Sequence, residues 1–156
     1  MKSSKWIIIG IVSTIIIAGI FSVVSGASKK GVFAEYTPDV YYSPECGCCI
    51  NYMGYLRSKG MTVNPLLTTN IGQIKEKNNI PKNLYSCHTT NIGNYFVEGH
   101  VPVEAIKKLI TENPQIDGIS LPNMPSGSPG MPGKKTAPFE IIAIKDGKPL
   151  GIFATI

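Results

Sequence analysis

The chain has 156 residues, and its 15 Lys and Arg against 10 Asp and Glu give a net charge of +5. Because one domain takes about 150 residues, this length excludes a multidomain machine. Hydrophobic residues make up 43% and charged residues 16%, a composition too apolar for a disordered chain. Four positive charges, Lys2, Lys5, Lys29 and Lys30, flank one apolar run, and no other basic cluster exceeds two residues. We therefore expect no nucleic-acid partner.

The uncharged run 6–24 predicts a membrane-spanning helix. A hydrocarbon core about 30 Å thick needs about 20 apolar residues in a helix, whereas the apolar part of a cleavable signal has only about 7 to 15. The small residues at 25–27 nevertheless suit a signal peptidase, so cleavage stays open. Either alternative exports the domain. We expect a membrane-anchored domain outside the cytoplasm or, after cleavage, a secreted or periplasmic one.

The rest of the chain alternates strand and helix signals. We expect an anchor or signal sequence at 1–27, a linker at 28–38 and one domain at 39–156. The periodicity predicts strands at 40–42 and 61–67, helices at 46–59, 68–79 and 102–111, a hairpin of 89–92 and 95–97, and a final hairpin of 139–144 and 150–155. The stretch 113–138, rich in Gly and Pro, is predicted as one long loop. The fold class is then α/β: a thioredoxin-like mixed sheet with flanking helices, preceded by a single N-terminal transmembrane helix.

Three sulfurs are concentrated in the segment 43–49. Cys46, Cys48 and Cys49 lie where a predicted strand ends and a predicted helix begins. Unpaired backbone N–H groups and the helix dipole stabilise thiolates at such a position. Cys46 and Cys49 have the spacing of a redox pair, and Cys48 adds a third donor. A thioredoxin-like layout returns the remaining cysteine, Cys87, beside the first helix, so all four thiols are expected to converge.

The converging thiols allow metal binding, redox chemistry or structural disulfides. Disulfides, for example Cys46 to Cys49 and Cys48 to Cys87, suit an oxidising compartment, but a bond across so short a loop stabilises little. Closed zinc sites usually draw their cysteines in pairs from separate knuckles, whereas three of these share one turn. Crowded soft donors instead favour Cu(I). Metal or redox use is therefore the stronger interpretation.

Other donors extend the candidate site. His88 adjoins Cys87, and Met124 and Met131 lie in a Pro and Gly loop where a thioether has no evident core to fill. The candidate metal ligands are therefore Cys46, Cys48, Cys49, Cys87, His88, Met124 and Met131. His88 has the alternative of an ordinary hydrogen-bonded residue, and the two methionines have that of packing the loop onto the domain. For His100 a surface or hydrogen-bonded role is the stronger interpretation.

Four motifs together resemble a known family. The runs 40–49, 86–89, 97–102 and 122–131 resemble, in this order, the motifs of the CopG-like copper-resistance proteins. The resemblance covers about 39–155. It implies a thioredoxin-like fold, an exported location, and copper handling through Cys46, Cys48, Cys49 and Cys87. Ile50 departs from the family pattern, in which a small residue often follows the cysteines.

The expected function is extracytoplasmic copper binding in copper resistance or homeostasis, with Cu(I) held by the cysteines and copper binding coupled to thiol redox chemistry. The expected partners are copper ions, the membrane through the N-terminal helix, and other copper-handling proteins. Two alternatives stay open. One is a thiol-disulfide oxidoreductase in which Cys46 attacks and Cys49 resolves. The other is a structural zinc or disulfide domain that binds a protein partner.

Overall fold

The computed structural model describes residues 31–156, and the structural statements below concern that part of the chain. In chain order its elements are β1 (Asp39–Tyr42), α1 (Gly47–Ser58), β2 (Asn64–Leu67), α2 (Ile71–Lys77), β3 (Thr89–Ile92), β4 (Tyr95–Glu98), α3 (Val103–Glu112), β5 (Gly118–Ser120), β6 (Glu140–Lys145) and β7 (Lys148–Thr155). A 3-10 turn at Lys82–Leu84 precedes β3. The expected mixed α/β architecture is confirmed.

All these strands belong to one seven-stranded sheet in the order β2-β1-β3-β4-β5-β6-β7. β1 pairs with β2 in parallel across the α1 crossover, and with β3 antiparallel on its other side. β3 and β4 form the expected hairpin. β4 pairs with β5 in parallel, and β5, β6 and β7 continue as antiparallel neighbours. The ends of β1, β3 and β4 therefore lie side by side in the sheet.

Apolar faces of α1 and α3 build the core. On α1, Tyr52, Met53 and Leu56 recur at helical spacing, and each is at most 2% exposed. On α3, Ile106 and Leu109 form the corresponding face and join the same cluster. Burying these side chains supplies the main favourable free energy of folding, about 1.5 to 3 kcal/mol for each large apolar side chain. Packing therefore fixes α1, and with it the cysteines at its start.

The prediction of one long loop at 113–138 is wrong in part, because this stretch contains β5. This strand is only three residues long, too short to show an alternating pattern, and all three residues are buried. Gly118 passes so close to Phe96 that an added Cβ would lie 2.5 Å from the Phe96 ring. The close approach of the two backbones requires a glycine at position 118. In the sequence, this glycine resembles a loop residue, so the strand was not predicted.

Two other elements are shorter than expected. The strand predicted at 61–67 begins at Asn64, because Met61 and Val63 turn into the core before the strand pairing starts. The helix predicted at 68–79 begins at Ile71, because the Asn70 side chain accepts a hydrogen bond from the Gln73 amide and caps the helix. That helix also ends earlier, at Lys77, and the order of elements is unaffected.

The predicted transmembrane helix, over 6–24, lies outside the described residues. Within 31–156, no helix has the length and apolar character needed to cross a membrane. Residues 31–38 were assigned to the linker, and two of their side chains, Phe33 and Tyr36, pack against the core. The boundary at residue 39 stays a prediction.

Candidate metal centre

The cysteine turn connects β1 to α1. The Cys46 amide donates to the Ser43 carbonyl at 3.1 Å and closes the turn, and Cys46 is the N-cap residue of α1. No side-chain hydrogen bond caps the helix there, and the Cys46 carbonyl accepts a hydrogen bond from the Cys49 amide at 3.2 Å. Cys48 and Cys49 follow in the first turn, and Cys49 is fully buried. The turn and the helix start together hold three sulfurs at one end of the core.

All four cysteine sulfurs converge, as expected. Cys46 and Cys49 form a disulfide, while Cys48 and Cys87 are free thiols. The Cys48 sulfur lies 3.6 Å from that of Cys46 and 3.7 Å from that of Cys87. The four sulfur atoms are all within 4.8 Å of one another. Of the two structural disulfides considered from sequence, only Cys46 to Cys49 is present.

Two buried imidazoles extend the sulfur cluster. His88 Nδ1 lies 3.5 Å from the Cys49 sulfur and 3.4 Å from the Cys87 sulfur. His100 Nε2 lies 2.9 Å from the Cys87 sulfur. Cys87, His88 and His100 therefore form a second group of donors within 4.8 Å of one another. Cys87 belongs to both groups and is the central donor of the site.

Comparison with solved structures identifies the family. The copper resistance protein CopG, form 2, is 32% identical with a TM-score of 0.71, and the match covers 78% of this chain and 98% of that one. Form 1 of the same protein gives 32% identity and a TM-score of 0.70, covering 77% and 96% of the two chains. This chain belongs to the CopG copper-resistance family. The CopG resemblance of its four motifs is confirmed.

A family model matches the part of the chain that carries Cys87. The family described as "Protein of unknown function, DUF411" matches residues 84–131. This range includes Cys87, His88 and His100 and extends through the Pro and Gly loop. No curated protein matches the chain.

The tautomer of His100 follows from its hydrogen bonds. Its Nδ1 lies 2.7 Å from the Pro129 carbonyl oxygen, which only accepts, so Nδ1 carries the proton. The lone pair is then on Nε2, the atom that faces Cys87. A backbone carbonyl on one ring nitrogen is how proteins orient a metal-binding histidine. The hydrogen-bonded role expected for His100 is present, and the structure also places this residue within 4.8 Å of the Cys87 and His88 donor atoms, which the sequence did not indicate.

The Tyr52 ring contacts both imidazoles, and the sequence did not indicate this role. Its ring centroid lies 4.5 Å from that of His88 and 5.3 Å from that of His100, and its hydroxyl donates to the Val101 carbonyl at 2.9 Å. Burial raises its pKa well above the usual value. Helical spacing alone made Tyr52 a core residue, and only the fold shows that it packs against two histidines, whose rings also contact each other.

Burial also fixes the protonation of the donors in the CopG-family site. It raises the pKa of the Cys87 thiol to about 12, and the neighbouring Cys48 thiol adds to the increase. Burial lowers the pKa of His88 well below its usual value, as His100 and Lys75 also do, and burial lowers that of His100. At neutral pH Cys87 is therefore a thiol and both histidines are neutral. A metal ion must displace the Cys87 proton to bind there.

The donor set fits a soft metal ion. Thiolate sulfur selects Cu(I) and zinc, and neutral imidazole suits both. His88 Nε2 is buried, and it has no hydrogen-bond partner among the described residues. His88 Nδ1 faces the Cys49 and Cys87 sulfurs, so it is the ring nitrogen that is placed to bind a metal.

The loop that carries the two candidate methionines lies against the site. The Pro129 carbonyl accepts a hydrogen bond from His100 Nδ1, and Gly130 approaches α1 so closely that an added Cβ would lie 2.6 Å from the Tyr52 amide nitrogen. Met124 is 39% exposed, and Met131 is half-buried directly after Gly130. Metal ligation by either methionine stays a prediction.

Proposed function

We propose that this CopG-family protein binds copper as Cu(I) outside the cytoplasm and acts in copper resistance or homeostasis. The observation that carries the proposal is the convergence of four cysteine sulfurs, with Cys87 also joined to His88 and His100. The related solved structures are those of copper resistance proteins, which supports copper as the cargo. Cys48, Cys87, His88 and His100 are the proposed ligands, joined by Cys46 and Cys49 when their disulfide is reduced, with Met124 and Met131 as further candidates from the adjoining loop.

The arrangement of the donors favours Cu(I) over a structural zinc ion. A structural zinc site is closed by four ligands in a tetrahedron, usually from two separate knuckles. Here three cysteines come from one turn, and Cys87 is shared with a histidine pair. Cu(I) is a soft ion, and crowded soft sulfur donors suit it.

Copper binding is proposed to be coupled to thiol oxidation. When the thiols of Cys46 and Cys49 form their disulfide, they release two protons and two electrons, which convert two Cu(II) ions to two Cu(I) ions. Cys48, Cys87 and the two histidines are then left as donors for the reduced copper. The disulfide between Cys46 and Cys49, next to the free thiols of Cys48 and Cys87, supports this step.

The element order supports a thioredoxin-like domain. A parallel β1-α1-β2 unit is followed by α2 and by the β3-β4 hairpin, with β1 between β2 and β3. We propose that strands β5 to β7 extend this core. We also propose that residues 1–27 anchor the domain in a membrane, so that it receives copper from, or passes it to, other copper-handling proteins. Membrane fractionation with N-terminal sequencing tests the anchor: a soluble mature chain starting at Ser28 contradicts it.

A thiol-disulfide oxidoreductase is the second candidate function. The observation in its favour is the C-x-x-C disulfide between Cys46 and Cys49 at the start of α1, the position of a redox pair. Cys48 counts against it, because a third thiol 3.6 Å from the Cys46 sulfur would trap mixed disulfides.

Replacing Cys48 alone separates the two functions. Cys48→Ser leaves the Cys46 and Cys49 pair intact, so an oxidoreductase retains insulin-type disulfide reduction. A copper site loses a soft donor, and we expect Cu(I) affinity to fall by at least about tenfold, the scale found for lost supporting groups at metal sites. Affinity is measured anaerobically by competition with a Cu(I) chelator. Unchanged affinity and unchanged copper tolerance in cells, with retained reductase activity, would support the oxidoreductase instead.

A further inference from the structure

A buried ion pair lies next to the sulfur site, and the proposed function does not use it. Lys75 on α2 is 3% exposed, and Glu98 at the end of β4 is fully buried. The Lys75 Nζ atom lies 2.5 Å from Glu98 Oε1. Removing two charges from water is costly, and an apolar pair of similar volume often stabilises a fold as well or better. Stability alone therefore gives no reason for this pair.

The contacts of the Glu98 carboxylate lead directly to Cys87. Oε1 accepts a hydrogen bond from the Ser86 amide at 2.6 Å, and Ser86 is the residue before Cys87. Oε2 accepts from the Thr89 hydroxyl at 2.7 Å. Lys75 Nζ also donates to the Thr89 oxygen at 3.2 Å. One carboxylate thus fixes the chain on both sides of Cys87 and His88, and Lys75 holds that carboxylate from α2.

The same two segments meet again at their backbones. The Gly99 amide donates to the His88 carbonyl at 3.0 Å. Gly99 has φ +80°, and an added Cβ would lie 2.5 Å from Ser86 Oγ, so the two segments pack with no spare room. His100 follows Gly99 directly. A shift of Ser86 therefore moves Cys87 relative to both His100 and Cys48.

We propose that Lys75 and Glu98 are positioning residues for the metal centre: together they hold the Ser86 amide, and thereby place the Cys87 sulfur between Cys48 and His100. The proposal rests on the proposed function of the site. It assigns neither residue a contact with the metal. Supporting groups of this kind typically change metal affinity by about 10- to 100-fold when they are lost.

Two variants test the pair. Glu98→Gln keeps the size of the side chain but removes its charge and one acceptor oxygen. The double variant Lys75→Met with Glu98→Met removes every polar contact of the pair and leaves no unpaired buried charge, so the fold is expected to form. For both we expect Cu(I) affinity to fall by about tenfold or more, with fewer sulfur and nitrogen neighbours in X-ray absorption. A purely structural pair would change the melting temperature and leave the affinity of the folded protein as it was.

Asp117→Asn is the matched control. Asp117 also accepts from a lysine, at 2.7 Å from Lys145 Nζ, and from a backbone amide, at 2.6 Å from Asp146, but this pair is partly exposed and holds no segment of the site. We expect unchanged Cu(I) affinity. If Asp117→Asn lowers the affinity as much as Glu98→Gln does, the effect is not specific to positioning and the proposal is wrong.

A metal-free measurement separates this proposal from the proposed function. Mild oxidation should join Cys48 to Cys87 in a disulfide, because their sulfurs lie 3.7 Å apart. Peptide mass spectrometry at successive times measures the rate at which this disulfide forms. We expect at least about a threefold lower rate in both pair variants and no change in Asp117→Asn, because a displaced metal ligand loses its alignment. If the wild-type protein binds no Cu(I), copper binding fails while this comparison still tests the pair. Wild-type rates and affinities in the folded double variant would overturn the positioning proposal.

Discussion

The two halves of the sheet contribute to the site in different ways. The half formed by β1 to β4 carries every cysteine and histidine of the chain, at the start of α1, just before β3 and just after β4. The half formed by β5 to β7, with the loop before β6, contains none. Its contribution is backbone: the Pro129 carbonyl that orients His100 and the close approach of Gly130 to α1. The cysteine and histidine donors thus belong to one half, and the other half orients and covers them.

Solvent exposure follows the same division. The donors of the first half are buried or half-buried: His88 and His100 are fully buried, and Cys48 and Cys87 are half-buried. The last strand of the second half, β7, is mostly exposed, and Leu150 and Ile152 are 61% and 56% exposed. Changes to donors should therefore abolish metal binding, changes to the covering loop should weaken it, and changes within β5 to β7 should leave it alone.

The largest effect is expected for the donor that both ligand groups share. Cys87→Ser removes the sulfur from the four-cysteine group and from the histidine group at once. The serine oxygen binds Cu(I) poorly, so we expect affinity to fall by about 100-fold or more, beyond the scale of a lost supporting group. Chelator competition under anaerobic conditions measures it.

The exposed strand of the other half provides the control for Cys87→Ser. Ile152→Ser changes a residue that is 56% exposed on β7, and we expect wild-type affinity. A Cys87→Ser protein that binds Cu(I) within about threefold of wild-type would contradict the central role of Cys87, because a lost metal ligand costs more than that.

The sequence predicted the donors that are close together along the chain and missed those that only the fold assembles. Cys46, Cys48 and Cys49 lie in one turn, so their spacing was enough, and the strand and helix order placed Cys87 beside them. His100 and Tyr52 gave no local signal. The first is defined by a carbonyl 29 residues further along, and the second has the helical spacing of an ordinary core residue.

The secondary structure was likewise predicted where its signal is local and missed where it depends on contacts remote in sequence. The elements from β1 to α3 have clear periodicity and turn residues, and their order was predicted. β5 was missed because its three residues are all buried and include a glycine, so neither alternation nor composition distinguishes it from the surrounding loop. Its place in the sheet depends on pairing with β4 and β6, which are remote in sequence.

Gly130→Ala should weaken binding from the side of the covering loop. Gly130 has φ +81°, and its Cβ would lie 2.6 Å from the Tyr52 amide nitrogen, so the loop must move away from α1. His100 then loses the Pro129 carbonyl that fixes its tautomer. We expect Cu(I) affinity to fall by about 10- to 100-fold and the free energy of unfolding to fall by about 1 to 3 kcal/mol.

Gly54→Ala is the matched control for Gly130→Ala. Gly54 lies within α1, and an added Cβ meets nothing within 4 Å. We expect the free energy of unfolding to rise by about 0.5 to 1 kcal/mol and the affinity to stay at the wild-type value. Equal affinities in the two alanine variants would show that the loop does not orient His100.

The protonation of Cys87 makes binding depend on pH. Because its thiol pKa is raised to about 12, Cys87 stays protonated between about pH 7 and 9, and each bound metal ion must displace that proton. The affinity should therefore rise by about tenfold for each pH unit from this thiol alone. The histidines add nothing in this range, because their pKa values are lowered and they are already neutral. Chelator competition at several pH values measures the slope, which Cys87→Ser should reduce by one proton; a slope of zero contradicts this assignment.

The smallest effect on the site is expected from a core change in the half that carries no cysteine or histidine donors. Ile141 on β6 is fully buried in the main core, and Ile141→Val removes a single methylene group there. Such a deletion costs about 0.5 to 1.5 kcal/mol of unfolding free energy, because the apolar contacts are lost and the space is only partly refilled. The donors are held by α1 and by the ends of β3 and β4, so the substitution should remove no supporting contact of the site. Cu(I) affinity should therefore stay within about twofold of wild-type, well under the change of about 10-fold or more that a lost supporting group causes. Denaturant unfolding and chelator competition on the same preparation give both quantities. A tenfold loss of affinity here would mean that packing in β5 to β7 also sets the geometry of the donors, and the division between the two halves would not hold.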